Sequence, residues 1–360
     1  MILGDTTNTC GFVLAAGFGT RLRPITDVIP KPLVPFFGVP LLDLALFRLK
    51  STGIVDIAAN AHYLAGKIAE HLEQSPWGRR VHLSIEDGEI LGRGGAYIPL
   101  RTWFGNRTIV AYNGDVISDI DVSAALEEHR RSGAVATMVV LPAPLGRDNA
   151  VFCDPSGRVG AIAKAAPDGS GKWTARGFAC LQILEPEFLD LLPQAGPSDI
   201  LGAYDLAIAR GLRVSSHVHD GFWHDLGSPA QLYTAHREVL ELPGDEAQKL
   251  LNRVGVIEFA RASGGEVIFV PRGRDWQDPG GLLTMTGPAC LTGSAACAVK
   301  PWAAALPSKL HLGPLVVAEA GFHAGPASKF TEALVMRSAR IDQSPSHKPT
   351  VYDHNHVITL

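Results

Sequence analysis

Leu14-Ala15-Ala16-Gly17-Phe18-Gly19-Thr20-Arg21-Leu22-Arg23-Pro24 closes an apolar run with small residues and then with cations, and Pro30-Lys31-Pro32-Leu33 follows shortly after. Gly11 to Ala16 reads as a buried strand. Beyond it, Gly17 and Gly19 let the backbone approach a ligand closely, and turn N–H groups can converge on phosphate oxygens. Arg21 offers a planar fork and Lys31 a point charge, so together they suit a phosphate chain held at two places. Neither common glycine motif is present. A P-loop needs Gly-Lys-Ser/Thr after four residues and a dinucleotide fingerprint needs a third glycine, whereas Gly17-x-Gly19 runs into Thr20-Arg21-Leu22-Arg23. Taken alone, the turn could be a tight strand-to-loop connection without a ligand.

Two carboxylates could complete the chemistry. Asn113-Gly114-Asp115 follows the apolar run Thr108–Tyr112, which puts Asp115 at the carboxyl end of a strand. Asp225 stands in Phe222-Trp223-His224-Asp225-Leu226-Gly227-Ser228-Pro229, just before a helix start with Ser228 as N-cap, Pro229 at the first helical position and Gln231 closing a capping box. Each has an ordinary reading, as a turn aspartate or a helix-terminal partner. Two carboxylates sharing a site repel unless a cation lies between them, which is a physical reason to expect a metal. His217 and His219 alternate along an expected strand, but no third ligand stands at suitable spacing, so they read as ordinary histidines. Asp353-His354-Asn355-His356 reads as a polar terminus.

The elements that must position these residues alternate. Leu41 to Thr52 carries apolar residues at helical spacing and stops at Gly53, and Ile54–Ala59 reads as a strand. Ala61–Gln74 reads as a helix; Val81–Ile85, Thr108–Tyr112 and Ala134–Leu141 as strands; Ser228 opens a helix to about Leu240. The pattern predicts an α/β fold with a Rossmann-like, mostly parallel sheet and helices on both faces, its ligands beyond the carboxyl ends of the strands. Toward the C-terminus a six-residue step appears in Leu312-Gly313, Ala318-Glu319, Ala324-Gly325, Phe330-Thr331 and Met336-Arg337, with Val316, Phe322, Ser328, Leu334 and Arg340 at the fifth position. Thr286-Gly287 and Thr292-Gly293 repeat the step. Hexads are a β-helix signature, here a degenerate one, and an irregular β-rich extension is the alternative. The expected organisation is a tail over 1–9, a catalytic domain over 10–241, a β-rich hexad domain over 242–343 entered through the linker Glu241–Asp245, and a tail over 344–360.

Bulk properties narrow the function. The chain has 360 residues, 46% hydrophobic and 19% charged, enough to bury a core in two domains. A net charge of −4 argues against a nucleic-acid-binding surface. No apolar stretch approaches a membrane span, and Met1–Asp5 lacks a basic n-region, so neither membrane nor export is expected. Five scattered cysteines without Cys-x-x-Cys predict neither a zinc knuckle nor a disulfide framework and fit a cytoplasmic protein.

Taken in order over residues 10–240, the glycine turn, Pro30-Lys31-Pro32-Leu33, Leu91-Gly92-Arg93-Gly94-Gly95, Asn113-Gly114-Asp115 and Trp223-His224-Asp225-Leu226-Gly227-Ser228-Pro229 resemble the signature of the sugar-1-phosphate nucleotidylyltransferases, also called nucleotide-sugar pyrophosphorylases. Asn60-Ala61-His62-Tyr63-Leu64 and Ser84-Ile85-Glu86 are most similar to bacterial enzymes acting on mannose-, heptose- or N-acetylmuramate 1-phosphates. The resemblance implies transfer of a nucleotidyl group from an NTP to a sugar 1-phosphate, with pyrophosphate released and Mg2+ held by Asp115 and Asp225. It implies catalytic roles for Arg21, Lys31 and Asp115, and nucleotide contacts from Leu14, Ala15, Ala16, Gly17, Gly19, Thr20 and Asn113. The base pocket would include Glu86, Leu91, Gly92 and Gly94, with Arg93 in place of the usual threonine. On the sugar-phosphate side it implies Asn149, Lys164, Gly177 and Asp225. Ala163-Lys164-Ala165 lacks both flanks of the family's Glu-Lys-Pro, and Arg147 is a substitute cation. An ionised Glu86 only accepts hydrogen bonds and so matches the two adjacent donors of guanine, a lean toward GTP. The alternatives are UTP with an amino sugar 1-phosphate, or a catalytically silent nucleotide-sugar-binding regulatory subunit, suggested by the worn Lys164 segment and hexads. The resemblance also implies that the hexads belong to a left-handed β-helix-like domain, and it leaves open a homo-oligomer or a regulatory partner subunit.

Overall fold

The computed structural model describes residues 6, 8–146 and 149–262 in full and, beyond them, the backbone of strands between Glu266 and Thr359. Arg147 lies outside the described residues, as do Gly287, Gly313, Phe322, Gly325, Ser328, Thr331, Met336 and Arg337 of the hexads and His354-Asn355 of the tail. The chain divides into two compact units: 1–18, 45–73 and 77–223 form the first, and 19–44, 74–76 and 224–360 the second.

In the first unit the strand Thr9–Leu14 runs parallel between Ile57–Ala61 and Thr108–Asn113, and Val81–Ile85 extends the parallel edge beyond Ile57–Ala61. The expected parallel sheet holds in this half. Past Thr108–Asn113 the direction reverses. The long strand Thr174–Leu184 lies antiparallel to Thr108–Asn113, to Ala136–Leu141 and to Ala150–Cys153, while Val214–Val218 rejoins Ala136–Leu141 in parallel. One antiparallel pair in this half follows from connection length. Ala150–Cys153 and Val159–Ala163 are joined by a short turn, in which Asp154 accepts from Ser156 N–H at 2.8 Å and Arg158 N–H at 3.1 Å, and so short a link permits only antiparallel pairing.

Several element boundaries differ from the sequence reading: the first strand runs Thr9–Leu14 and leaves Ala15 and Ala16 to the turn, the helix from Leu41 ends at Lys50, and the strand expected from Ala134 begins at Ala136. The second strand runs Ile57–Ala61, and the helix begins at Ala65. Asn60 and Ala61 have little intrinsic strand preference, but pairing with Ser84 and Ile85 holds them in the sheet. The core of this unit centres on Phe12, whose ring meets Tyr97 and Phe104 edge-on at 4.9 and 5.5 Å. Within it Gln182 donates to Tyr97 OH at 2.8 Å and accepts from Tyr204 OH at 2.7 Å, so three buried polar groups satisfy one another.

In the second unit Ser228 caps the helix Pro229–Glu241 as expected, its hydroxyl accepting from Gln231 N–H. The expected linker is short, because Gly244 already opens the helix Gly244–Arg253, followed by Val256–Ala262. Ala247, Leu250 and Leu251 make the buried face that the sequence reading overlooked. Farther on, parallel strand partners lie 17 residues apart (Val317 with Leu334, His323 with Arg340) or 18 apart (His311 with Lys329), about three hexads per step.

His236 ties the helix Pro229–Glu241 to the turn at Phe37. Its Nε2 accepts from Phe37 N–H at 3.0 Å, its Nδ1–H donates to Leu232 O at 2.8 Å, and the rings of Phe36 and Phe37 lie 4.5 and 4.7 Å away. Burial pushes its pKa down to about 4, with His224 adding in the same direction. Above pH 6.5 the imidazole is neutral folded or unfolded. As pH falls from 6.5 toward 4 only the unfolded chain takes up the proton, so stability is lost. From urea unfolding midpoints, the stability advantage of the wild type over His236→Gln should shrink by about 3 kcal/mol between pH 7 and pH 4; a gap independent of pH would contradict the assignment.

Candidate active site

In the first unit the parallel strands deliver three segments to one edge of the sheet. Leu14 pairs with Asn113, and Ile57–Ala61 ends beside them with Asn60. Gly114 N–H donates to Leu14 O at 2.9 Å, which laces the Asn113-Gly114-Asp115 segment to the start of the glycine turn and leaves Asp115 half-buried. Ala15 N–H donates to Asn60 Oδ1 at 2.7 Å, and Asn60 Nδ2 donates to Glu86 Oε1 at 2.6 Å. Glu86 Oε2 accepts from Leu91 N–H at 2.8 Å. Asn60 and Glu86 are 3% and 6% exposed, so both are internal groups. The structure therefore brings Leu14, Ala15, Glu86, Leu91, Asn113 and Asp115 into one connected region, and it finds both carboxylate oxygens of Glu86 already accepting hydrogen bonds from the protein.

The glycines of Leu91–Gly95 are explained by a segment that the sequence reading missed. Ser198 O accepts from Gly94 N–H at 2.9 Å and Gly95 N–H at 3.3 Å, and Ser198 N–H donates to Leu91 O at 2.9 Å. A β-carbon at Gly94 would come within 2.8 Å of Ser198 Oγ, and one at Gly95 within 2.8 Å of Gly196 O. Arg93 pairs with Asp199 at 2.6 Å, and Asp199 also accepts from Leu201 N–H. Small residues here permit close approach of backbone to backbone. No local pattern reveals this, because the partner lies about a hundred residues away. Phe18, the aromatic between the two glycines of the turn, is 43% exposed and edge-on to His62 with ring centroids 5.3 Å apart.

In the second unit three charges meet. Lys31 Nζ lies 3.9 Å from Asp225 Oδ1, and Arg21 Nη2 lies 3.9 Å from Asp225 Oδ2. The Lys31 side chain is only 9% exposed, whereas Arg21 is 57% exposed. Glycine positions the two cations. Gly19 has φ of +65°, and a β-carbon there would meet Thr26 Cγ2 at 2.9 Å and Lys31 Cβ at 3.0 Å; Thr26 Oγ1 donates to Gly19 O at 2.8 Å. A β-carbon at Gly227 would lie 2.5 Å from Arg21 Nη2. Arg21 and Lys31 bring two cationic groups to this place, a donor set suited to an anion.

Among the described residues, no group of three or more His, Cys, Asp or Glu is arranged to hold a metal by protein ligands alone. His217 and His219 do not form a pair: His217 Nδ1 meets Glu128 at 2.6 Å, and His219 Nε2 meets Phe222 O at 3.2 Å. A carboxylate such as Asp115 or Asp225 is still of a type that fits Mg2+, which keeps several waters and is commonly bound through one or two carboxylates plus substrate phosphate. On the expected sugar side, Lys164 is exposed at the end of Val159–Ala163, Asn149 is half-buried, and Gly177 packs closely on Ala143 O. No helix among the described residues is long and apolar enough to cross a membrane.

Comparison with known proteins agrees with this architecture. The family model described as Nucleotidyl transferase matches residues 10–150. A UTP–glucose-1-phosphate uridylyltransferase from Synechocystis sp. is 28% identical over 258 residues, covering 66% of this chain and 66% of that protein. An N-acetylmuramate alpha-1-phosphate uridylyltransferase from Neisseria meningitidis is 31% identical over 229 residues, covering 62% of this chain and 95% of that one. The crystal structure of HddC from Yersinia pseudotuberculosis, complexed with GMP-PN, superposes with a TM-score of 0.52 at 23% identity over 62% of this chain and 96% of its own, a likeness of fold. Spanning nearly the whole of the Neisseria relative at that identity, the chain belongs to the sugar-1-phosphate nucleotidyltransferase family.

Proposed function

We propose that this protein transfers a nucleotidyl group from a nucleoside triphosphate to a sugar 1-phosphate and releases pyrophosphate. The observation that carries the reading is the cluster of buried Lys31 and exposed Arg21 around Asp225, directly after the glycine turn, in a chain of this family. Such a reaction needs two anions positioned against each other and cations on the leaving pyrophosphate. Lys31 and Arg21 serve the second need, and the Leu14–Thr20 segment the first, by presenting backbone donors to the phosphates. Asp115 and Asp225 are the carboxylates that would hold Mg2+, which when bound neutralises phosphate charge at the reacting phosphorus. Asn113 is assigned to the triphosphate on the strength of its pairing with Leu14, and Asn149, Lys164 and Gly177 to the sugar phosphate on the strength of the family resemblance.

The donor base is a finer matter. Guanine drew its support from the acceptor capacity of Glu86, and both of that carboxylate's oxygens are already engaged. The two relatives described above are uridylyltransferases, and others are named guanylyl- or thymidylyltransferases. The lean toward GTP thus rests on the residue type of Glu86 alone, UTP is the alternative donor, and the assay below separates the two. Parallel strand partners 17 and 18 residues apart support a β-helix-like fold for the C-terminal strands. Cys10 and Cys153 as buried thiols, together with a triphosphate substrate, support a cytoplasmic setting.

The test is pyrophosphate release with UTP, GTP and dTTP against glucose, mannose and N-acetylmuramate 1-phosphates. Turnover is expected with at least one pair; tight binding of nucleotide sugar without turnover would instead favour the silent regulatory subunit. Asp115→Asn should lower kcat by about 100-fold or more with circular dichroism unchanged, and near-normal kcat would remove its role. Lys31→Ala should cut kcat/KM by a similar factor, read in the same assay. Arg21→Ala should cost about tenfold or more in kcat/KM in the same assay, and full activity in that variant would remove Arg21 from the proposed chemistry.

A further inference from the structure

Four hydrogen bonds in the first unit join Asn60 and Glu86 to each other and to the backbone around them. Ala15 N–H donates to Asn60 Oδ1, Asn60 Nδ2 donates to Glu86 Oε1, and Leu91 N–H donates to Glu86 Oε2, at 2.7, 2.6 and 2.8 Å. The fourth anchors the middle, where Glu86 N–H donates to Ala61 O at 2.8 Å. Both ends of this chain, Ala15 N–H and Leu91 N–H, are obligatory donors. The two side chains between them must accept at each end and pass one hydrogen between themselves. An amide followed by a carboxylate does this. Two amides leave an NH2 facing an N–H, and two carboxylates leave oxygen facing oxygen. Each mismatch would sit where exposure is 3% to 6%, beyond the reach of rescue by water.

We propose that Asn60 and Glu86 are positioning residues for the nucleotide donor. They form a brace that fixes the glycine turn at Ala15, on the phosphate side, relative to the loop at Leu91, on the base side. The proposal rests on the nucleotidyl-transfer reading, and it assigns Glu86 an action through Leu91 instead of a contact with the base. The brace also makes a specific demand: a carboxylate followed by an amide satisfies every partner just as well. In Asn60→Asp with Glu86→Gln, residue 60 accepts from Ala15 N–H and from the new amide, whose oxygen accepts from Leu91 N–H.

The experiment compares Asn60→Asp, Glu86→Gln and the double variant. Each single variant should raise KM for the triphosphate about tenfold or more and leave KM for the sugar phosphate within about twofold, and the double variant should return to within about threefold of wild type. Additive losses in the double variant would overturn the brace. So would a Glu86→Gln variant that simply exchanges one donor base for another, because Glu86 would then read the base directly. A fall in kcat with both KM values unchanged would reduce the pair to general stability. Hydrogen exchange at the Ala15 and Leu91 amides gives a readout independent of turnover: faster in both single variants, restored in the double. If wild-type protein turns over no pair of substrates, the functional reading fails, and exchange alone still decides the brace; unchanged exchange in the single variants would sink it.

Discussion

The parallel pairing of Thr9–Leu14 with a neighbour on each side is the constraint from which the first unit's chemistry follows. Parallel neighbours finish at the same edge of a sheet, so one strand's turn necessarily meets the ends of two others. Ala15, Asn60 and Asn113 come together for that reason alone. Buried Asn60 then has no solvent to satisfy it, and the sheet edge supplies an N–H on one side and a carboxylate on the other. The polar chain from Ala15 to Leu91 is thus a direct result of ending three strands in one place.

The second unit handles charge differently. Lys31 is nearly buried, which is costly for an ammonium without a counter-ion, and Asp225 lies within 3.9 Å of it and of Arg21. The carboxylate reduces the repulsion between two cations without cancelling both. All three groups stand on backbone fixed by Gly19 and by the capped helix that follows Ser228. An anion meeting this cluster finds its counter-charges already arranged, which lowers the reorganisation that binding would otherwise require.

Much of this was legible in the residues. The apolar runs announced the strand at Val81–Ile85 and, as Thr108–Tyr112, all but the last residue of Thr108–Asn113, and Ser228-Pro229-Ala230-Gln231 announced its helix, because pattern and capping chemistry are local. Proximity of Lys31 to Asp225 was also readable, through their place in an ordered set of motifs. The reversal at Thr174–Leu184 was not, since strand direction depends on connection geometry. Nor was the role of Ser198: its partners are backbone amides, which carry no sequence signature. Glu86 shows the limit most clearly. Its residue type correctly declared an acceptor, but whether the acceptor would meet a ligand or the protein's own Asn60 and Leu91 depended on burial.

The bond between Arg93 and Asp199 closes a span of 106 residues, and Ser198 receives the amides of Gly94 and Gly95 beside it. During synthesis the Leu91 loop leaves the ribosome long before its acceptor has been made. Contacts of such sequence separation form only after their loop entropy has been met by the rest of the fold. Nascent chains should therefore carry a finished sheet edge well before they carry a finished Leu91 loop, and truncated translation products ending short of Ser198 would be shaped at one end of the site and unshaped at the other.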